Sequence, residues 1–211
     1  FKFLGDGQTW VTVVRHKIGG QIGSALSSSR TYLRICQALL QKGKMDTLIE
    51  KAQEIGVQEI WPIETRRTVA RMNNEKSSQA LLRWQRIARE SAKQSGSLRL
   101  AKIALPRNFE EVLKDIPGSE QVVIFHPAVD ALVFRDWIKK LEENKEEKTQ
   151  QVLNLFFGPE GGFSQEEIRK AVKLRESFQE PTKIVSLGKN IMRSDTAFLG
   201  VIASLRLLLG E

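Results

Sequence analysis

Two short stretches in the last quarter of the chain carry residue types that packing alone does not require. Gly158-Pro159-Glu160-Gly161-Gly162 follows an apolar run that ends on Phe157. Ser186-Leu187-Gly188-Lys189-Asn190-Ile191-Met192-Arg193 follows Ile184-Val185 and leads, through Thr196 and Ala197, into a long apolar-periodic stretch. Each has the order strand, glycine-bearing loop, helix. In an open α/β sheet such loops gather at the carboxyl ends of the strands, where ligands bind. Glycine there permits positive φ and lets a ligand approach the main chain with no Cβ in the way. After the first loop, Ser164 and Glu167 have the spacing of a capping box and predict a helix start. One such loop is most simply a tight turn. Two so close together point to a shared pocket.

Other chemistries find little support. The chain contains neither GxxxxGK[ST] nor GxGxxG, so no phosphate cradle is predicted. His16, His126 and Cys36 are the only soft ligands, too few for a structural zinc site. They also form no Ser-His-Asp or Cys-His set, and His126 after a strand reads as structural. The single cysteine excludes an internal disulfide, and a reducing cytoplasm is its natural compartment. No apolar run reaches the roughly 18 residues of a membrane helix, so no membrane partner is expected. The start, Phe-Lys-Phe, has no initiator methionine and no secretory pattern, and an amino-terminal piece is expected to be missing.

Charge supplies the strongest hint of a partner. The net charge is +8, but residues 1–110 hold 19 Lys or Arg against 9 Asp or Glu, while the remainder hold 14 against 16. The excess is densest over residues 66–107, which include Arg66, Arg67, Arg71, Arg83, Arg86, Arg89, Lys93 and Arg99. Only Glu75 and Glu90 oppose them. A solvated helix face explains a balanced run better than this one; a polyanion such as RNA is the expected partner.

The elements that must position these groups follow from periodicity. Residues 1–35 read as short β-strands with a turn at Gly5-Asp6-Gly7, too few to close a barrel alone. Residues 32–40 are either the first strand of the next domain or a link into it. Asp46 is expected to cap a helix bearing Leu48, Ala52 and Ile55, with Gly56 at its end. A strand over 57–63 follows, then a helix over about 75–94 burying Leu81, Trp84, Ile87 and Ala88. A strand at 103–105 precedes a short helix capped by Asn108 with Glu111. After a strand at 122–125 comes a helix carrying Leu132, Phe134, Trp137 and Leu141. The polar run 142–150 reads as a solvated helix end and loop. The last helix starts near Asp195, with Phe198, Val201, Ile202, Leu205 and Leu209 at helical spacing, and ends at Gly210. So much apolar surface predicts burial, in the core or between subunits. The alternation predicts an α/β domain with a mainly parallel sheet flanked by helices.

GPEGGFSQEE and SLGKNIMRSDTA together resemble the paired signature of the knotted, S-adenosylmethionine-dependent RNA methyltransferases of the SPOUT superfamily. Within them the chain resembles the 16S ribosomal RNA uracil-N3 methyltransferases (small subunit methyltransferase E). KMDTLIEKAQEIGVQEIWPIETRRTV and RWQRIARESAKQSGSLRL add matches, so the resemblance spans most of residues 40–211. It departs at Ser194-Asp195, where members have Thr-Glu or Ser-Glu, and at Thr65-Arg66-Arg67-Thr68, where they have Glu-Arg-Ser. The resemblance implies a partial PUA-like β-barrel RNA-binding module over 1–35 and a methyltransferase domain with a trefoil knot over 36–211. It also implies a homodimer acting on 16S ribosomal RNA or the small ribosomal subunit.

On that reading the cofactor-binding residues are Phe157, Gly158, Pro159, Glu160, Gly161, Gly162, Ser186, Leu187, Gly188, Asn190, Ile191, Met192, Thr196 and Ala197. Leu187, Ile191 and Met192 would sandwich the adenine, or belong to the core. Methylating uracil at N3 requires loss of a proton, so a residue should stabilise the developing anion or remove that proton. Arg193 is the expected charge-stabilising catalytic residue; its alternative role is packing its loop through a carboxylate such as Glu160. Glu160 and Asp195 are alternative bases. A knotted methyltransferase acting on another base or a ribose, and a non-catalytic RNA-binding protein, are the competing readings.

Overall fold

The structure, a computed structural model, describes residues 31–41, 43–128, 130–143 and 150–209. The expected strands and turn before residue 31, most of the polar run 142–150, and Gly210 lie outside them. The strands are β1 (Thr31–Ala38), β2 (Glu59–Glu64), β3 (Lys102–Ile103), β4 (Arg107–Asn108), β5 (Gln121–Phe125), β6 (Leu132–Val133), β7 (Gln151–Phe157) and β8 (Lys183–Ser186). The helices are α1 (Lys44–Glu54), α2 (Asn74–Ser95), α3 (Phe109–Asp115), α4 (Phe134–Glu143), α5 (Gln165–Leu174) and α6 (Ser194–Leu209).

The sheet runs β3-β2-β1-β7-β5-β8-β6, with β4 also on β2, and these pairings are parallel. Parallel strands covered on both faces need apolar residues throughout rather than alternation. β5, QVVIF, is accordingly buried at every position. Leu33, Ile35, Val123, Leu155 and Phe157 face a core closed by α1, α2, α4 and α6. Cys36, Val122, Ile124 and Phe156 face the other, closed by Phe109, Leu113, Phe163 and Ile168 of the α3 and α5 regions. Phe157 stacks on Phe125 at 4.8 Å and meets Phe198 edge-on at 5.7 Å. α6 is tied to the end of α1 by Arg206, whose guanidinium donates to the carbonyls of Ile55 and Gly56.

Several expectations are corrected. β1 begins at Thr31 and lies in the middle of the sheet, so the boundary expected between 35 and 36 falls within a strand. Residues 31–35 pair with β7 along their length and belong with the sheet. α1 is capped by Gly43 with no side-chain bond; Asp46 lies inside the first turn, where its carboxylate pairs with Arg83 of α2. Leu132 lies in β6, opposite Val185, rather than on α4. Leu81 and Ile87 are half-buried, and α2 buries Ser77, Trp84, Ala88 and Ser91 because it lies as an outer layer on α1. Asn108 caps α3 by accepting from Glu110 N. The capping box at Ser164 and Glu167 is present as expected. Among the described residues no helix is long and apolar enough to cross a membrane, and no group of three or more His, Cys, Asp and Glu could hold a metal.

Candidate functional site

Because neighbouring strands are parallel, the segments leaving β2, β1, β7, β5 and β8 emerge along one edge of the sheet. The first glycine loop leaves β7, and the second leaves β8. The turn of the first is fixed by its own packing: a Cβ on Gly158 would stand 3.1 Å from the backbone of Gly162 and Phe163. Gly162 N donates to Pro159 O at 2.8 Å and closes the turn. Gly188 in the second loop has φ +113, and no atom lies within 4 Å of where its Cβ would stand. Its backbone therefore needs glycine, while the space beside it is open.

A residue that sequence reasoning passed over joins the two loops. Gln37, fully buried near the end of β1, donates from Nε2 to Ala38 O at 2.9 Å and to Ser194 Oγ at 3.0 Å. Longer contacts run to Gly158 O and Phe157 O at 3.4 and 3.5 Å. Ser194 Oγ, at the start of α6, in turn donates to Gly158 O at 2.6 Å. The Gln37 amide thus fastens β1, the entry of the first loop and the exit of the second. Its Oε1 is buried without a hydrogen-bond partner among the described residues, a costly arrangement. Glutamine in an apolar strand has no spacing signature, so only the β1–β7 pairing reveals it.

The other expected cofactor residues divide by exposure. Phe157 and Pro159 are buried, which leaves their backbone rather than their side chains to face the site. Leu187 packs partly against the core. Ile191 is 85% exposed and Met192 44%, so neither belongs to the core. Ser186 Oγ turns back onto Gly188 N at 3.4 Å, while Asn190 and Thr196 are exposed and Ala197 half-buried.

Arg193 is exposed just before α6, and its carbonyl accepts from Ala197 N. Glu160 is not its partner. The Glu160 carboxylate accepts from Lys44 Nζ at 3.0 Å and Gln41 N at 3.2 Å. Partial burial pushes the Glu160 carboxyl up, but these bonds and the lysine charge outweigh it and hold the group below its ordinary value. A carboxylate held ionised and paired is a poor proton acceptor. Asp195 Oδ1 accepts from Thr196 N at 3.1 Å. His126, at the end of β5, is held low first by burial and then by the charge of Arg67. Burial likewise pushes the Cys36 thiol up, which removes it as a nucleophile.

The basic residues are not equivalent and do not share one side: those of α2 lie on the layer over α1, while Arg66 reaches Glu166 of α5, which covers the opposite face of the sheet. Arg83, Arg86, Arg89 and Lys93 are exposed on α2. Arg83 is paired to Asp46, and Lys93 to Glu90 at 2.9 Å. Arg86, Arg89 and Arg99 have no side-chain partner among the described residues. Arg66 pairs with Glu166, and Arg67 Nη1 donates to Gly161 O at 2.7 Å. A cleft of about 300 Å³ lies beside this segment, lined by Glu64, Arg66, Arg71, Glu110, Glu166 and Lys170 among others. Its walls carry both signs and the glycine loops do not form it, so it is neither the expected cofactor site nor a phosphate trough.

A sequence model of one protein family, described as RNA methyltransferase domain, matches residues 27–206. The chain is 32% identical over 161 residues to the ribosomal RNA small subunit methyltransferase E of Mesomycoplasma hyopneumoniae, covering 76% of this chain and 63% of that protein. It is 30% identical over 177 residues to the protein of the same name from Synechocystis, covering 81% and 52%. Both coverages of the relatives fall short of two thirds of their length. Among solved structures, a methyltransferase of Legionella pneumophila in complex with SAM matches with a TM-score of 0.70 at 25% identity, covering 86% of this chain and 68% of that one. The ribosomal RNA small subunit methyltransferase E of Neisseria gonorrhoeae, bound to S-adenosyl methionine, matches with a TM-score of 0.69 at 25% identity, covering 84% and 67%.

Proposed function

Because this chain belongs to the RNA methyltransferase domain family, we propose that it methylates N3 of a uridine in 16S ribosomal RNA, with S-adenosylmethionine as the methyl donor. The observation that carries the reading is the fastening of the two glycine loops through Gln37, Ser194 and Gly158. It brings an open glycine face at Gly188 and the exposed apolar side chains of Ile191 and Met192 to the edge where ligands of α/β sheets bind. These residues fit the cofactor, which has an apolar aromatic base and no phosphate. Leu187, Ile191 and Met192 would cover the adenine, and the backbone of both loops would take its polar edge. When bound, the cofactor supplies an electrophilic methyl group.

The chain's own part is to orient and to compensate charge. Arg193, exposed just before α6, would stabilise the anion that uracil becomes when N3 loses its proton. Glu160 is occupied by Lys44 and serves the loop rather than the proton. RNA phosphates would be held along α2 by Arg86 and Arg89, with Arg71, Arg83, Lys93 and Arg99 flanking. Phosphate contacts of this kind position the strand and leave the choice of base to the pocket.

The assembly proposed is a cytoplasmic homodimer acting on the small ribosomal subunit or its RNA. Buried Phe198, Val201, Ile202 and Leu205 use one face of α6, while Leu199 and Leu207 stay exposed, the latter at 83%. A two-fold contact is the commonest way to cover such a face. The trefoil knot is proposed on the path from β8 back to α6, which lies on α1 and β7 rather than beside β8.

The direct test is nucleoside mass analysis of unmodified 16S ribosomal RNA after incubation with the protein and S-adenosylmethionine. The expected product is 3-methyluridine, absent with Gly188→Val, which strains the second loop and should fail to bind the cofactor by calorimetry while circular dichroism and melting show the rest of the fold retained. A methyl group on another base or on ribose would refute the target. Full cofactor affinity in the folded Gly188→Val variant would refute the site.

A further inference from the structure

The segment Thr65-Arg66-Arg67-Thr68 leaves β2 inside the basic run, and charge alone groups its two arginines with those of α2. Their contacts separate them. Arg67 Nη1 donates to Gly161 O at 2.7 Å and reaches Phe163 O at 3.5 Å. Its Cβ and Cδ lie 3.6 Å from where a Cβ on Gly161 would stand, so its aliphatic stem also lies along that glycine. The peptide between Gly161 and Gly162 is thereby held at both ends, by Arg67 at the carbonyl and by Pro159 O at the N–H, 2.8 Å away.

The segment is itself firmly held. Thr65 and Thr68, each 5% exposed, join their hydroxyls at 2.9 Å, and Thr65 N donates to Thr68 Oγ1 at 2.9 Å. Arg66 N donates to Glu167 Oε1 at 2.7 Å. That carboxylate's other oxygen accepts from Ser164 N and Oγ, each at 2.8 Å, and so starts α5. The turn after β2 therefore acts as a buckle across the first glycine loop, with β1 lying between the two strands concerned.

We propose that Arg67 is a positioning residue for the cofactor loop rather than an RNA phosphate contact. This deepens the methyltransferase reading and rests on it. A guanidinium fits the task because its planar fork can serve two carbonyls while its stem packs on the glycine, whereas an ammonium is a strongly hydrated point charge. Arg86 and Arg89, which have no side-chain partner among the described residues, are left to take the phosphates.

The test compares Arg67→Met, which keeps the stem and removes the donors, with Arg67→Lys and with Arg86→Glu. Calorimetry with S-adenosylmethionine should show affinity reduced about tenfold in Arg67→Met and partly restored in Arg67→Lys. KM for the cofactor should rise by the same factor with kcat at saturation unchanged, and the melting temperature should hold. RNA affinity and its salt slope should be those of wild type, while Arg86→Glu weakens RNA binding and leaves the cofactor alone. Unchanged cofactor affinity in Arg67→Met overturns the inference. So does a salt slope reduced by about 0.7, the loss of one phosphate contact on a single strand. Wild-type protein that binds no S-adenosylmethionine would instead overturn the functional reading, and the positioning role with it.

Discussion

Replacing Gln37 tests the link between the loops most sharply, because leucine and glutamate fail there for different reasons. Leucine removes the donor that Ala38 O and Ser194 Oγ receive at 2.9 and 3.0 Å. Two such bonds contribute about 0.5–1.5 kcal/mol each. Leucine also removes the unpaired Oε1, whose burial costs about 1–3 kcal/mol, so part of the loss is returned. The two contributions largely cancel, so the net cost of Gln37→Leu should be at most about 2 kcal/mol, or at most about 6 °C of melting temperature for a chain of this size. Gln37→Glu keeps the shape but aims a second acceptor at three carbonyl oxygens in a fully buried site. An uncompensated buried charge costs about 3–5 kcal/mol, so this variant should melt about 10 °C below wild type at neutral pH.

The sign of the pH effect follows. Burial raises the new carboxyl's pKa in the folded state above its unfolded value. The folded form then binds more protons, and the variant gains stability relative to wild type as pH falls through that raised pKa. The protonated acid also recovers an O–H donor. Differential scanning calorimetry at pH 8 and pH 5.5 reads both effects, with S-adenosylmethionine affinity measured alongside. Equal melting losses for the two variants, or a glutamate variant whose deficit does not shrink in acid, would refute the donor role assigned to Gln37.

Two further predictions concern charge. Burial pushes the Glu59 carboxyl up, but hydrogen bonds from Arg34, Trp61 and Tyr32 and the Arg34 charge outweigh it and hold the group low. Its contribution should be present above the ordinary carboxylate range and lost as pH falls through the lowered value. Glu59→Gln should therefore flatten the acid limb of the stability profile in urea titrations, and an unchanged limb would show that the Arg34 cluster is not responsible. Joint replacement of Arg86 and Arg89 by Glu should weaken RNA binding and reduce its salt slope by about 1.4, two phosphate contacts. Filter binding across a salt series would disprove the α2 face if affinity and slope stayed as in wild type.

Legibility in the sequence followed the range of the interaction. The capping box at Ser164 and Glu167 spans three residues, and α5 starts where it predicts. The Gly56 helix end, with φ +81 in the left-handed region, is local as well. Contacts that arise only when distant strands meet were silent. Gln37 matters because β1 lies beside β7, and nothing within its own strand distinguishes it from a filler. Arg175 is similar: it stands between Lys173 and Glu176 in the sequence, yet it is fully buried and donates to the carbonyls of Ile116, Pro117 and Glu120 at 2.8–2.9 Å. The basic run does not reveal where its members end up, because composition counts Arg67, which bonds the first glycine loop, and Arg86, exposed on α2, alike. Leu132 was assigned to a helix because a two-residue strand has no period to detect.

The position of β7 also bears on how the molecule can be made. It lies between β1 and β5, with Thr31 opposite Gln151 and Gln121 opposite Leu153. A nascent chain that has emerged only as far as residue 150 thus holds one partial sheet, β1 to β4, while β5, whose partners β7 and β8 are both still to come, has no strand to pair with. Such long-range closure is slow, and open edges are templates for pairing between chains. Synthesis therefore passes through a window in which the edges of β1 and β5 need shielding; β7 begins to close it and β8 completes the sheet. Fragments that stop before Gln151 are poor candidates for isolated expression, whereas supplying β7 in trans offers a way to capture them.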